Sequence, residues 1–165
     1  PRQRGGLLHQ FPGHRERRAG REHDLDERTR LRVVVALNEA LRVAQEAQGT
    51  VEIDYINAHG AGTRMGDAME VQVIRRVFGD PSPLVSSTKP LNGHSQGAAG
   101  AHEAIFTLLM LQHDFVVPTL NLEHVSPECD DVRHVRSPLA QPLKTVMTFN
   151  AGLGGSNACL IFSKP

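Results

Sequence analysis

The chain has 165 residues, one domain's worth and enough to bury a real core. Hydrophobic content of 39%, charged content of 22% and a formal net charge of zero fit a globular protein, with no overall field drawing it to nucleic acid or a membrane surface. The longest largely apolar run, residues 104–111, is far too short to cross a bilayer; Cys129 and Cys159 form no metal or disulfide framework, so no metal site and a reduced, cytoplasmic setting are expected.

Residues 1–32 hold nine arginines, no lysine, three histidines and five acids, and no apolar period persists in them. A poorly ordered Arg-rich tail is expected over 1–30, against the competing reading of a basic arm for an acidic partner. The domain proper is expected over 31–165. Val34, Leu37, Leu41 and Ala44 form a stripe at helical spacing, so a helix is predicted over 31–48, stopped by Gly49. Residues 51–56 are rich in β-branched side chains and read as a strand. Asp67 with Glu70 three residues on gives a capping-box-like helix start, and Val73, Ile74, Val77 and Phe78 supply that helix with a buried face. A second strand is predicted over 84–88. Residues 95–113 begin with small side chains and continue apolar on nearly every side, the pattern of a helix buried all round. An extended segment over 115–122, a loop over 126–142, and strands over 145–149 and 158–162 joined by a glycine-rich turn complete the order. The expected fold class is an α/β layer fold.

Two glycine-rich turns follow the first two strands, and each holds a histidine, His59 and His94. Strand ends that share a sheet edge are where open α/β folds build their sites, and imidazole suits proton transfer and anion stabilisation near neutral pH. The turns do not fit a phosphate-binding fingerprint: no Gly-x-Gly-x-x-Gly opens a helix after a first strand, and no Gly-Lys-Ser/Thr end is present.

Three ordered blocks carry a resemblance: His59-Gly60-x-x-Thr63 with Gly66-Asp67; Ser87-Thr88-Lys89-x-x-x-Gly93-His94 with Gly97-Ala98-Ala99-Gly100; and Gly152-x-Gly154-Gly155-Ser156-Asn157-Ala158. They resemble the β-ketoacyl-acyl carrier protein synthases, condensing enzymes of the thiolase superfamily, and are most similar to the bacterial elongating synthases of fatty acid synthesis. The resemblance implies a thiolase-like layered fold of which 31–165 is the C-terminal half, with an N-terminal half missing. It implies an acyltransferase that performs decarboxylative Claisen condensation of a malonyl-carrier protein with an acyl thioester. In that chemistry two neutral imidazoles, His59 and His94, donate hydrogen bonds to the enolate oxygen, and one of them also assists the departing carboxylate. Lys89 matches the family's lysine, with Glu103 as its acid. Thr63 matches a pantetheine-binding threonine, Ala61 stands where a second threonine is usual, and Ala151 and Leu153 stand where phenylalanines gate the acyl tunnel. The Leu153 backbone amide matches an oxyanion-hole donor, beside Gly154. No bound cofactor is implied, because the substrate carries its own phosphopantetheine; acyl carrier protein is the implied partner and a homodimer the implied assembly, without nucleic acid or membrane.

The family's nucleophilic cysteine has no match in these residues. Cys159 lies on a predicted core strand, and Cys129 lies among Glu128, Asp130 and Asp131, which disfavour a thiolate. The chain alone is therefore expected to be inactive. The alternatives are a non-catalytic ketosynthase-like partner of the chain-length-factor type and a polyketide ketosynthase.

Overall fold

A computed structural model describes the backbone of residues 19–152 and 154–165, with side chains from residue 28 onward. Helix α1 spans Ala19–Gln48, so the helix expected from Leu31 begins earlier, and residues 19–30 belong to it rather than to a tail; residues 1–18 lie outside the described residues. The reason is permissive: no glycine or proline occurs between Gly20 and Gly49, and nothing breaks the helix although the residues before Leu31 lack an apolar stripe.

The elements that follow are β1 (Tyr55–Asn57), α2 (Arg64–Phe78), β2 (Leu84–Ser86), the single turn α3 (Lys89–Asn92), α4 (Ala99–His113), β3 (Phe115–Val116), β4 (Arg133–His134), β5 (Leu139–Ala140), β6 (Thr145–Ala151) and β7 (Asn157–Ser163). A five-stranded sheet has the order β4-β2-β1-β6-β7. β1 lies between β2 and β6 and is parallel to both, with Tyr55 opposite Leu84 and Val146; β7 returns antiparallel to β6. The loop expected over 126–142 thus supplies β4 to the sheet edge and β5 to a small antiparallel pair with β3.

Alternation along the strands sorts the core into two layers. Ile56, Val85, Met147 and Phe149 pack on one face with Val33, Leu37, Val71 and Ile74 of α1 and α2. Tyr55, Leu84 and Val146 pack on the other with Met110 and Leu111 of α4. The result is a three-layer α/β arrangement in which α4 is the one long helix on its side of the sheet among the described residues.

That arrangement corrects one expectation. α4 is not buried all round: Ile105 is 54% exposed, Leu108 42% and Leu109 43%. The sheet covers only one side of the helix, and no other described element lies over the opposite side. Among the described residues, no helix is long and apolar enough to cross a membrane.

Candidate active site

The parallel pairing of β1 with β2 brings their C-terminal ends, and the turns that follow them, to one edge. Ala58 still pairs with this ladder, its N–H donating to the Ser86 carbonyl at 2.9 Å. The chain then turns through Gly60 and Gly62, whose φ angles of +45° and +80° favour glycine. Two buried acidic side chains hold the turn from below. Glu70 accepts from the Gly60 N–H with both oxygens at 3.1 Å, and Asp67 accepts from the Gly62 N–H at 3.1 Å. The expected capping box is thereby replaced. Thr63 caps α2, its hydroxyl accepting from the Gly66 N–H at 3.2 Å, and the two acids reach back to the His59 turn instead.

His94 arrives after α3 and Gly93. Its Nδ1 accepts from the Gln96 backbone N–H at 3.0 Å, which leaves the proton of the neutral ring on Nε2. The imidazoles of His59 and His94 stand edge to face, ring centroids 5.3 Å apart and planes at 81°. Both therefore face one site.

Behind them lies a buried polar network. Lys89 is 5% exposed, and its ammonium donates to the carboxylate of Glu103 and to the carbonyl of His59, with His59 Nδ1 at 3.3 Å. The alternative of an exposed surface lysine is excluded by that burial. α4 begins at Ala99 after a 3₁₀ turn over Gln96–Ala98, so Glu103 sits about one turn into the helix. Asn150, near the end of β6, bridges the acid and the imidazole: its Nδ2 donates to Glu103 at 2.6 Å and its Oδ1 lies 3.0 Å from His59 Nδ1. Asn57 donates to the Thr107 hydroxyl at 3.2 Å and ties β1 to α4 on the same side.

Electrostatics follow from burial. Desolvation, helped by the nearby Lys89 ammonium, pushes the His59 imidazolium down to about 4, so the ring is neutral at neutral pH. Burial, then the neighbouring Asp67 carboxylate, pushes Glu70 up to about 8. Burial raises both thiols, Cys159 to about 12, and neither is a nucleophile near neutral pH.

These shifts set the pH dependence of folding. An unfolded histidine binds its proton near 6.5 and folded His59 only near 4, so its contribution to stability is present above 6.5 and lost as pH falls toward 4. Glu70 has the opposite sign: its contribution is present below 4.5 and lost as pH rises toward 8. Urea midpoints measured from pH 4 to 8 should show a shallower acid-side decline for His59→Gln than for the parent chain. Identical declines would mean that His59 is not desolvated.

The other expected site residues divide. Thr63 and Ala61 are exposed on the loop into α2, Ala151 is half-buried at the end of β6, and Gly154 is exposed with φ +92° in the turn before β7. Leu153 lies outside the described residues. The structure thus groups His59, His94, Lys89 and Glu103 tightly. It adds Asn150, Asn57 and Glu70, which sequence reasoning does not single out as site residues; the one available signal is that polar Thr148 and Asn150 flank apolar Phe149 late in β6.

The family model described as the β-ketoacyl synthase C-terminal domain matches residues 18–123. The 3-oxoacyl-[acyl-carrier-protein] synthase 1 of Haemophilus influenzae is 48% identical over 130 residues, 76% of this chain and 32% of that protein. Among solved structures, a β-ketoacyl synthase from Burkholderia phymatum superposes with a TM-score of 0.70 at 37% identity, covering 79% of this chain and 33% of that one. A type II polyketide ketosynthase, solved with its acyl carrier protein and a bound hexaketide, superposes at 0.72 with 26% identity, covering 79% and 32%. The chain spans about a third of the length of these relatives. On the family match and on this shared fold, the chain belongs to the β-ketoacyl synthases and carries their thiolase-like C-terminal domain.

Proposed function

We propose that the chain supplies the two-histidine half of a 3-oxoacyl-acyl carrier protein synthase active in fatty acid synthesis. The observation that carries this reading is the edge-to-face pair of His59 and His94 backed by the buried Lys89–Glu103 pair. In the proposed reaction the C–C bond to the malonyl carboxylate breaks, carbon dioxide leaves, and the electron pair moves onto the thioester as an enolate. The resulting carbanion attacks an acyl thioester held on a cysteine, and that sulfur leaves as thiolate. The cysteine belongs to the part of the family fold that this chain does not span. In this reading the Nε2–H of His94 donates to the enolate oxygen as it gains charge, and a fixed donor there stabilises the transition state more than the ground state.

Acyl carrier protein is the proposed partner, delivering substrate on its own phosphopantetheine, with no further cofactor. Thr63 would meet the pantetheine arm beside Ala61, and Ala151 would stand at the gate of the acyl tunnel, near Gly154. The small side chain at 151 widens the acyl range in this reading, and alanine at 61 removes one pantetheine contact. A homodimer of the assembled enzyme and a cytoplasmic setting go with it. A chain-length-factor role is the weaker reading, because such a partner has no use for two facing imidazoles and a buried lysine. The type II polyketide neighbour keeps a polyketide product open as the alternative.

A chimera joining the N-terminal two-thirds of the Haemophilus influenzae synthase to this chain tests the proposal. It should release carbon dioxide from malonyl-carrier protein and elongate an acyl thioester. His94→Ala should lower kcat by about 10²–10³-fold, the usual cost of one lost donor at a developing oxyanion, and His59→Ala should lower the release of carbon dioxide. Wild-type turnover in both variants would remove the histidines from the mechanism.

A further inference from the structure

We infer that Asn150 is a positioning residue that decides which ring nitrogen of His59 carries the proton, leaving its Nε2 as an acceptor opposite the Nε2–H donor of His94. The inference deepens the reading of the site above and depends on it only for its catalytic meaning.

Each group around the His59 ring has only one hydrogen-bonding role open to it. A carboxylate can only accept, so Glu103 Oε2, 2.6 Å from the Asn150 amide, must face its NH₂. That fixes the amide and turns Oδ1 toward His59 Nδ1 at 3.0 Å. A carbonyl-type oxygen offers only lone pairs, so Nδ1 must bear hydrogen. A neutral ring has one N–H, and Nε2 is then bare. The ammonium of Lys89, 3.3 Å from the same Nδ1, can only donate and pulls toward the opposite tautomer. Its protons have better-placed acceptors in Glu103 and the His59 carbonyl. Asn150 is therefore what holds the balance.

At His94 the constraint is reversed. The Gln96 backbone N–H can only donate, which strips Nδ1 of hydrogen and puts the proton on Nε2. Two rings 5.3 Å apart thus present unlike atoms to a common ligand. The expectation of two equivalent donors becomes one donor and one acceptor. A thioester oxygen finds its hydrogen bond at His94, while His59 can take a proton from a hydroxyl or a water.

The test is a solid-state ¹H–¹⁵N spectrum of the full chain labelled in histidine at pH 7, a method that tolerates association. His59 should show Nδ1 protonated and Nε2 bare, and His94 the reverse. In Asn150→Ala, His59 should pass to Lys89's control and its two nitrogen resonances should exchange character, with His94 unchanged as internal reference. Asn150→Ser, whose hydroxyl is too short to span Glu103 and His59, should do the same if the alanine variant folds poorly. A protonated Nε2 on His59 in the parent chain, or an unaltered His59 in both variants, would overturn the inference. None of these readouts needs turnover. A failed condensation assay therefore leaves this result standing, and a wrong tautomer leaves the condensation reading to its own test.

Discussion

Lys89→Met is expected to lower folding stability by about 3–5 kcal/mol, the usual cost of leaving one member of a buried ion pair uncompensated. Glu103 is 2% exposed, and among the described residues its carboxylate would keep the Asn150 amide as its one hydrogen-bond donor. The His59 carbonyl would lose its bond to the same ammonium. The double variant Lys89→Met/Glu103→Leu should recover much of the loss, because it removes both charges rather than one. Urea unfolding of the parent, single and double variants gives the comparison. A single variant within about 0.5 kcal/mol of the parent, the range of ordinary surface changes, would mean that solvent reaches Lys89 and that the network is not the site's foundation.

The second large effect concerns association. Ile105, Leu108 and Leu109 make an uncovered stripe on α4. On β7, Leu160 pairs with Thr148 and so faces the same side of the sheet; it is 48% exposed. Together they form an apolar face of the kind that marks an interaction surface or an aggregation hazard. By itself the chain should associate and bind apolar dyes. Ile105→Glu/Leu108→Lys should shift it toward monomer, and supplying the N-terminal part of a relative should cover the face and suppress dye binding in the unaltered chain. Light scattering after size exclusion is the measurement. A parent chain that elutes as a monomer, binds no dye and unfolds in one sharp transition would show that the face needs no cover.

What is legible in the sequence follows the range of the forces. His59, His94 and Lys89 announce themselves because glycine-rich turns after short strands are local signals. Their convergence follows from parallel pairing. Asn150 stands 91 residues from His59, and nothing around it marks the contact. Asp67 and Glu70 fit a local capping rule well, yet the turn's buried amides compete for them and win, leaving the cap to Thr63. The start of α1 is hidden because absence of breakers is a weaker signal than a stripe. The apolar side chains of α4 predict burial correctly on the sheet side. Periodicity reports that a side chain avoids water, not which polypeptide shields it.

The central position of β1 also has a consequence for how the chain is made. Tyr55 pairs with Val146, 91 residues later, on one side and with Leu84 on the other. During synthesis β1 meets β2 early, but its second neighbour emerges only when residues 145–151 leave the ribosome. Until then the middle of the sheet is an open edge, with the small apolar helix beside it already complete. Pairings of such long sequence separation are slow to form and expose sticky intermediates meanwhile. A nascent chain stalled before Thr145 should therefore hold holdase chaperones longer than one stalled after Ser163.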